Sequence, residues 1–293
     1  MKILITGSNG LLGQKIVRQA IKRNLDFLAT SKGENRNPDC PAENYRALDI
    51  CSSQDIEAVF ADYQPTHVIH TAALTNVDAC ELNPKLCREI NFLASEKLYD
   101  ACKKMGAHYQ LLSTDFVFDG KQGNYKETDT PNPLSKYAES KVDAENTILK
   151  GDFENWSIVR TIIVYGIGHN LSKSNIVSWA KDALSKGQEM KIIDDQFRAP
   201  TWADDLAWAC LRICELDKKG IYHISGPETM SIFDLVSRVA DYFGISKATL
   251  VRTDSTTLNQ PAKRPPKTGF DLTKSRTELG YNPKTIEQTL DLL

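Results

Sequence analysis

The stretch Lys2-Ile3-Leu4-Ile5-Thr6 followed at once by Gly7-Ser8-Asn9-Gly10-Leu11-Leu12-Gly13 decides the reading of this chain. A short apolar run of strand length leads into a glycine-rich turn, and the turn leads into the helical pattern Leu11 to Arg23. Glycines permit a tight turn and close approach of the backbone to a pyrophosphate, while the helix start offers unpaired N–H groups and the positive end of its dipole. The spacing is GxxGxxG, one residue wider at the first gap than GxGxxG. Gly7, Asn9, Gly10, Leu11, Leu12 and Gly13 are therefore the residues expected around a dinucleotide.

Strand-like runs and helical stretches alternate outward from this loop, with strands expected at Asp26 to Thr30, His67 to Thr71 and Tyr109 to Ser113. Such alternation predicts βαβ units and an α/β fold, a Rossmann-type doubly wound parallel sheet. Leu86, Ile90, Leu93, Ala94, Lys97, Leu98 and Ala101 recur at helical spacing, so 84–104 reads as one crossover helix with a single buried stripe. Trp156 to Tyr165 is a near-continuous apolar run, the pattern of a strand covered on both faces. Beyond Gly166 the pattern changes. The expected division is a dinucleotide-binding domain at 1–165, with 203–225 returning to it, and a smaller C-terminal substrate-binding lobe at 166–202 and 226–293. Pro261, Pro265 and Pro266 beside Lys263, Arg264 and Lys267 mark 254–269 as a loop.

At 293 residues and 41% hydrophobic content the chain can bury a sizeable core. With 36 basic against 38 acidic residues, it carries no electrostatic footprint for nucleic acid or an anionic membrane, and no apolar run approaches a membrane span. Seven cysteines form no CxxC pair and show no zinc spacing, so reduced thiols and a cytoplasmic location are expected.

The second strand ends in Ala29-Thr30-Ser31-Lys32, where an NAD site would present an acid to the ribose. Thr30, Ser31 and Lys32, with Arg36, favour a 2′-phosphate, so NADP is the expected cofactor and NAD the alternative. Asp49-Ile50 closes a third strand-like stretch and is placed near the adenine. Tyr137-Ala138-Glu139-Ser140-Lys141 opens a helix after Pro131 and Pro133, and the i,i+4 spacing sets phenol and ammonium on one face. A phenol with a pKa of about 10 is a poor acid–base catalyst at neutral pH, and a nearby ammonium is expected to bring it down. Thr114, where an apolar strand ends, is the third candidate, because strand C-terminal ends open onto the ligand crevice.

These residues resemble the extended short-chain dehydrogenase/reductases, and within them the dTDP-4-dehydrorhamnose reductases, over almost the whole chain. Ala72-Ala73-Leu74-Thr75-Asn76-Val77-Asp78, Asn91, Ser113-Thr114-Asp115-Phe116-Val117-Phe118-Asp119-Gly120, Asn132-Pro133-Leu134, Asp195-Gln196 with Pro200-Thr201, and Arg264-Pro265 carry the resemblance. It implies that NAD(P)H delivers hydride to C4 of a nucleotide-linked 4-keto-6-deoxy sugar while Tyr137 supplies the proton. Lys141 would bind the nicotinamide ribose and Thr114 the keto oxygen. Ala72, Ala73, Thr75 and Asn91 would join the cofactor site, and Thr75, Val77, Asp115, Phe116, Ile163, Gln196 and Arg264 the substrate site. A homodimer is also implied.

The chain departs from that pattern at three places: Phe116 stands where Tyr is common, Ile163 where Trp is common and Arg198 where Gly is common. The acid by which some members hold magnesium two residues after the glycine loop is replaced by Lys15, so no metal site is expected. The resemblance extends to a non-catalytic relative, the regulatory β subunit of methionine adenosyltransferase, which shares the glycine loop, the YxxxK pair and an Ile in the place of Ile163. Another sugar-nucleotide reductase or epimerase is the third reading. A dehydratase would need an acid in the place of Phe116.

Overall fold

The computed structural model describes residues 1–172 and 174–293. The N-terminal half alternates β1 (Lys2–Thr6), α1 (Leu11–Lys22), β2 (Asp26–Ser31), β3 (Tyr45–Ala47), α2 (Ser53–Tyr63), β4 (His67–His70), α3 (Val77–Leu82), α4 (Pro84–Arg88), α5 (Ala94–Met105), β5 (His108–Thr114), α6 (Lys136–Lys150) and β6 (Trp156–Thr161). A seventh strand, Gly220–Ile224, completes a parallel sheet ordered Gly220–Ile224, β6, β5, β4, β1, β2, β3. This is the expected Rossmann-type sheet. The chain runs outward from β1 through β2 and β3, then crosses back to β4 on the other side of β1. That reversal opens a crevice above the C-terminal ends of β1 and β4, where doubly wound sheets bind ligands.

Local chemistry accounts for the helix boundaries. Ser52 caps α2 by accepting from the Asp55 N–H at 3.1 Å while its hydroxyl donates to the Asp55 carboxylate. Ser135 caps α6 through the Ala138 N–H, which sets the phase that brings Tyr137 and Lys141 to the sheet edge. Gly106, at φ +73°, ends α5 in the left-handed conformation that favours glycine.

One core packs α1 and the helix Ala203–Glu215 on the first face of the sheet, through Ile16, Val17, Leu206 and Cys210. A second packs α2, α5 and α6 on the other, through Ile56, Val59, Leu98 and Ile148. A third lies away from the sheet, where the helices Ile176–Ser185 and Ile232–Tyr242 enclose Val177, Leu184, Leu235 and Val236. Burying one such aliphatic side chain contributes about 1.5–3 kcal/mol.

Two elements differ from the sequence expectation. The crossover helix over 84–104 is interrupted by a π-turn at Glu89–Leu93. The wider turn shifts the buried stripe, so Cys87 faces inward and Leu86 is exposed. The apolar run 156–165 is not one strand. It breaks after Thr161, Ile163 takes φ +21°, and Val164–Tyr165 pairs instead with Thr201–Trp202. A β-branched residue with positive φ is strained. This one lies at the crevice wall. Among the described residues no helix is long and apolar enough to cross a membrane.

Candidate active site

A cleft of about 690 Å³ lies above the sheet's C-terminal edge. Its head is the glycine loop. Gly7 has φ +73°, and a Cβ there would stand 2.7 Å from the Ala72 backbone nitrogen, while one at Gly13 would run into the Gly7 carbonyl. Only glycine leaves this backbone cradle open beside the first-turn N–H groups of α1. Ser31 Oγ accepts the Asn9 N–H at 3.0 Å, and the Asn9 side chain spans Glu34 O (2.8 Å) and the Arg36 N–H (2.8 Å). Gln14, unremarked in the sequence, ties the loop at 168–170 to the glycine loop by exchanging hydrogen bonds with His169. Gly7, Asn9, Gly10, Leu11, Leu12, Gly13, Ser31, Lys32, Arg36, Ala72, Ala73 and Thr75 all line the cleft, so the cradle fits a dinucleotide.

Four residues expected at the cofactor are engaged elsewhere. Thr30 donates its buried hydroxyl to Ile5 O at 3.1 Å and is spent inside the sheet. Asp49 and Ile50 are absent from the cleft lining. Asp49 binds Lys32 Nζ at 2.7 Å and the Cys51 N–H at 3.0 Å, and the Lys32 hydrogen bond holds its carboxyl below the usual range. Asn91, fully buried, brackets the Leu74 backbone: its Oδ1 accepts from Leu74 N at 2.8 Å, and its Nδ2 donates to Leu74 O at 3.0 Å and Ser140 Oγ at 3.1 Å. It shapes the loop at 72–75 from below.

The chemical end of the cleft is formed by Ser113, Thr114, Tyr137, Lys141, Thr161 and Ile163. Thr114 terminates β5, and its hydroxyl sits beside the Tyr137 phenol and favours its ionised form. Burial outweighs that effect and pushes the phenol pKa up, with the buried Asp115 adding to the rise. In the free protein burial, rather than Lys141, dominates the phenol; Lys141 is itself buried, and desolvation pushes its pKa down to about 8. Tyr137 is consequently a protonated phenol at neutral pH.

The residues expected around the substrate hold one another. Asp115 is buried, accepts from Thr114 at 3.1 Å and from the Thr268 hydroxyl, and lies 3.8 Å from Arg198 Nε. Arg198 is also buried and donates to the carbonyls of Phe197 (2.7 Å), Pro265 (2.6 Å) and Pro266 (3.3 Å) and to Gln196 Oε1 (3.3 Å). Instead of projecting into the cleft it fastens the proline strap, and the glycine it replaces could not. Phe116 lies edge-on to Tyr137 and under the Arg198 guanidinium. Arg264 donates to Asp78 Oδ2 at 2.7 Å and to Ala262 O at 3.0 Å. The strap is thereby latched to α3, whose first residue is Val77. Lys15 pairs with Asp204 at 3.0 Å. Among the described residues no acidic, His and Cys cluster is arranged to hold a metal.

A family model for the RmlD substrate binding domain matches residues 1–293. The chain belongs to the RmlD substrate-binding domain family. It is 28% identical to Agl14 of Haloferax volcanii, described as a probable low-salt glycan biosynthesis reductase, over all of this chain and 97% of that one. It is 29% identical to methionine adenosyltransferase 2 subunit beta of Xenopus laevis, over 85% of this chain and 74% of the relative. Among solved structures, a dTDP-4-dehydrorhamnose reductase of Clostridium acetobutylicum superposes with a TM-score of 0.86 at 28% identity, covering 99% of this chain and 97% of that one.

Proposed function

We propose that this protein is an NADPH-dependent reductase acting on the C4 ketone of a nucleotide-linked 6-deoxy-4-keto sugar, as in dTDP-L-rhamnose biosynthesis. The observation that carries the reading is the placement of Thr114, Tyr137 and Lys141 at one end of a cleft whose other end is the glycine cradle. The name of the Clostridium neighbour supplies the sugar class. The dTDP-4-dehydrorhamnose reductase of Bacillus anthracis, solved in complex with NADP, shares this fold at a TM-score of 0.85 and 24% identity, which supports the fit of a dinucleotide to the cradle.

A bound nicotinamide would supply the hydride. Gly7, Gly10 and the start of α1 would hold its pyrophosphate, Ser31, Lys32 and Arg36 its 2′-phosphate, and Lys141 its ribose. Thr114 and Tyr137 would hold the keto oxygen between two hydroxyls. Tyr137, neutral in the resting site, gives its proton to that oxygen as negative charge develops there, and the Lys141 ammonium compensates the phenolate left behind. The lobe built on the third core, at 166–202 and 226–293, would receive the nucleotide, with Arg264 meeting the diphosphate through paired hydrogen bonds. A panel of nucleotide-linked 4-keto-6-deoxy sugars incubated with NADPH tests the reading. At least one should be converted to a product carrying two more hydrogens by mass. No conversion across dTDP-, UDP- and GDP-linked members would overturn it.

A second reading is supported by the similarity to methionine adenosyltransferase subunit beta together with Ile163, a residue that offers no aromatic face for stacking. It makes the chain a non-catalytic NADP-binding regulatory subunit, and it predicts cofactor binding without turnover of any sugar nucleotide.

A further inference from the structure

Behind Lys141 lies a buried polar chain that the proposed reaction does not use. Tyr137, Lys141 and Glu145 are spaced i, i+4 and i+8 on α6, so one helix face presents all three to the sheet. Glu145 is almost fully buried. One oxygen accepts from Ser113 Oγ at 2.5 Å and from Arg160 Nε at 3.0 Å, and the other from Arg160 Nη2 at 2.6 Å. Arg160 is buried as well, lies over the Phe118 ring, and donates to His223 Nε2 at 3.4 Å. His223 is kept neutral by burial first and by Arg160 second, and its Nδ1–H donates to Tyr125 O at 3.0 Å. The carboxylate is thus fixed from β5 and β6, and its Arg160 partner is backed in turn by His223 of Gly220–Ile224.

Lys141 is held differently. Among the described residues no hydrogen bond or ion pair joins its ammonium to a protein group, and the residue lines the cleft. The titratable groups facing it are Glu145 and Tyr137 from its own helix, Cys87 from α4 and His70 from β4. His70 is neutral, pushed down to about 3 by burial, and is bridged between Thr6 and Ser95. Tyr137 is a neutral phenol. Cys87 titrates near neutrality, at about 7, through the Cys80 thiol first and then Ser140 and Asn91. Among the described residues Glu145 is therefore the one carboxylate that offsets the burial of Lys141, acting through space of low dielectric, with the Cys87 thiol as the smaller contribution.

We propose that Glu145, fixed by Ser113 and Arg160, is a positioning residue that keeps the Lys141 head group charged and in line with Tyr137. The inference rests on the reductase reading only for what the charge is used for. The charge itself can be measured without any substrate. The pH dependence of Lys141 acylation by acetic anhydride, followed by peptide mass spectrometry on the whole protein, reports the midpoint of its deprotonation. In the unaltered protein that midpoint should lie near 8. In Glu145→Gln it should fall by about one unit, because the larger compensating charge is gone while burial remains. In Ser113→Ala, which removes one of the donors that fix the carboxylate and leaves the Arg160 pair intact, the midpoint should fall by less than in Glu145→Gln. Glu145→Asp, which keeps the carboxylate charge, should bring the midpoint back toward the unaltered value, as general damage to packing would not. An unchanged midpoint in a folded Glu145→Gln protein would overturn the proposal. Should that variant fail to fold with Arg160 left unpaired, Ser113→Ala decides alone: a fall supports the proposal, and no change or a rise overturns it. The expected shifts in a protein that reduces no nucleotide sugar would contradict the reductase reading and leave this one standing.

Discussion

The two ends of the cleft are built on opposite plans. At the glycine loop, backbone does the work: Gly7, Gly10 and Gly13 leave room, and side chains such as Asn9 and Ser31 only brace the loop. At the strap, side chains do the work and are already paired with one another, as in Asp78 with Arg264 and Asp115 with Thr268 and Arg198. A backbone cradle is ready for its ligand before the ligand arrives. A set of paired side chains has to exchange protein partners for ligand, so its affinity is a difference between two sets of hydrogen bonds. Substitutions at the two ends should therefore differ in what they change as well as in size.

The largest effect belongs to the chemical end. Tyr137→Phe should lower kcat by about 10²–10⁴-fold while leaving cofactor affinity within a few-fold, since only the proton-bearing oxygen is lost. Steady-state kinetics beside a cofactor titration check this, and retention of more than about a tenth of kcat would remove Tyr137 from its role. Arg264→Ala should raise KM for the nucleotide sugar at least about tenfold, or 1.4 kcal/mol, with NADPH affinity little changed. An equal loss of NADPH binding would erase the contrast between the two ends.

Two pH limits sharpen the contrast further. Lys141, lowered to about 8, loses its proton as pH rises through that value, so kcat should decline above it. The Asp78 carboxyl is lowered chiefly by its hydrogen bond from Arg264. Its contribution to the docked strap is present above the unfolded carboxylate value of about 3.9 and is lost as pH falls through the lower folded value. Proteolysis within 259–268, slow at neutral pH, should quicken only on the acid side of that limit. The smallest effect is at the nucleotide rim. NADPH should bind more tightly than NADH, and Arg36→Ala should narrow the difference by a few-fold, because Lys32 is already partnered by Asp49 and Arg36 supplies the freer cation. Calorimetry showing equal affinities in the unaltered protein would remove the basis for NADP preference.

What the sequence made legible follows the same division. The parallel sheet, the glycine loop and the Tyr137–Lys141 pair are written in neighbouring residues, where strand and helix periods fix which side chains share a face. A hydroxyl at a strand end, such as that of Thr30, reads alike whether it faces a ligand or, as here, the Ile5 carbonyl. Asn91 reaches the loop at 72–75 only through the Leu74 backbone, and the π-turn that carries it has no periodic signature. Arg198 could be singled out as a departure, yet its partners at Pro265 and Pro266 lie some seventy residues downstream and only the folded chain brings them together. The Ser113, Glu145 and Arg160 cluster is likewise assembled only by the folded chain, although Glu145 continues the Tyr137 and Lys141 spacing by one more turn.

The central claim is that the Thr114, Tyr137 and Lys141 end of the cleft reduces a ketone on a nucleotide-linked sugar. Transfer of deuterium from NADPH labelled at nicotinamide C4 to carbon 4 of a nucleotide-linked 4-keto-6-deoxy sugar, followed by mass spectrometry and NMR, tests it most directly. The account predicts label at that carbon with the unaltered protein and none above background with Tyr137→Phe. An unaltered protein that binds NADPH and the sugar nucleotide yet transfers no label would contradict it.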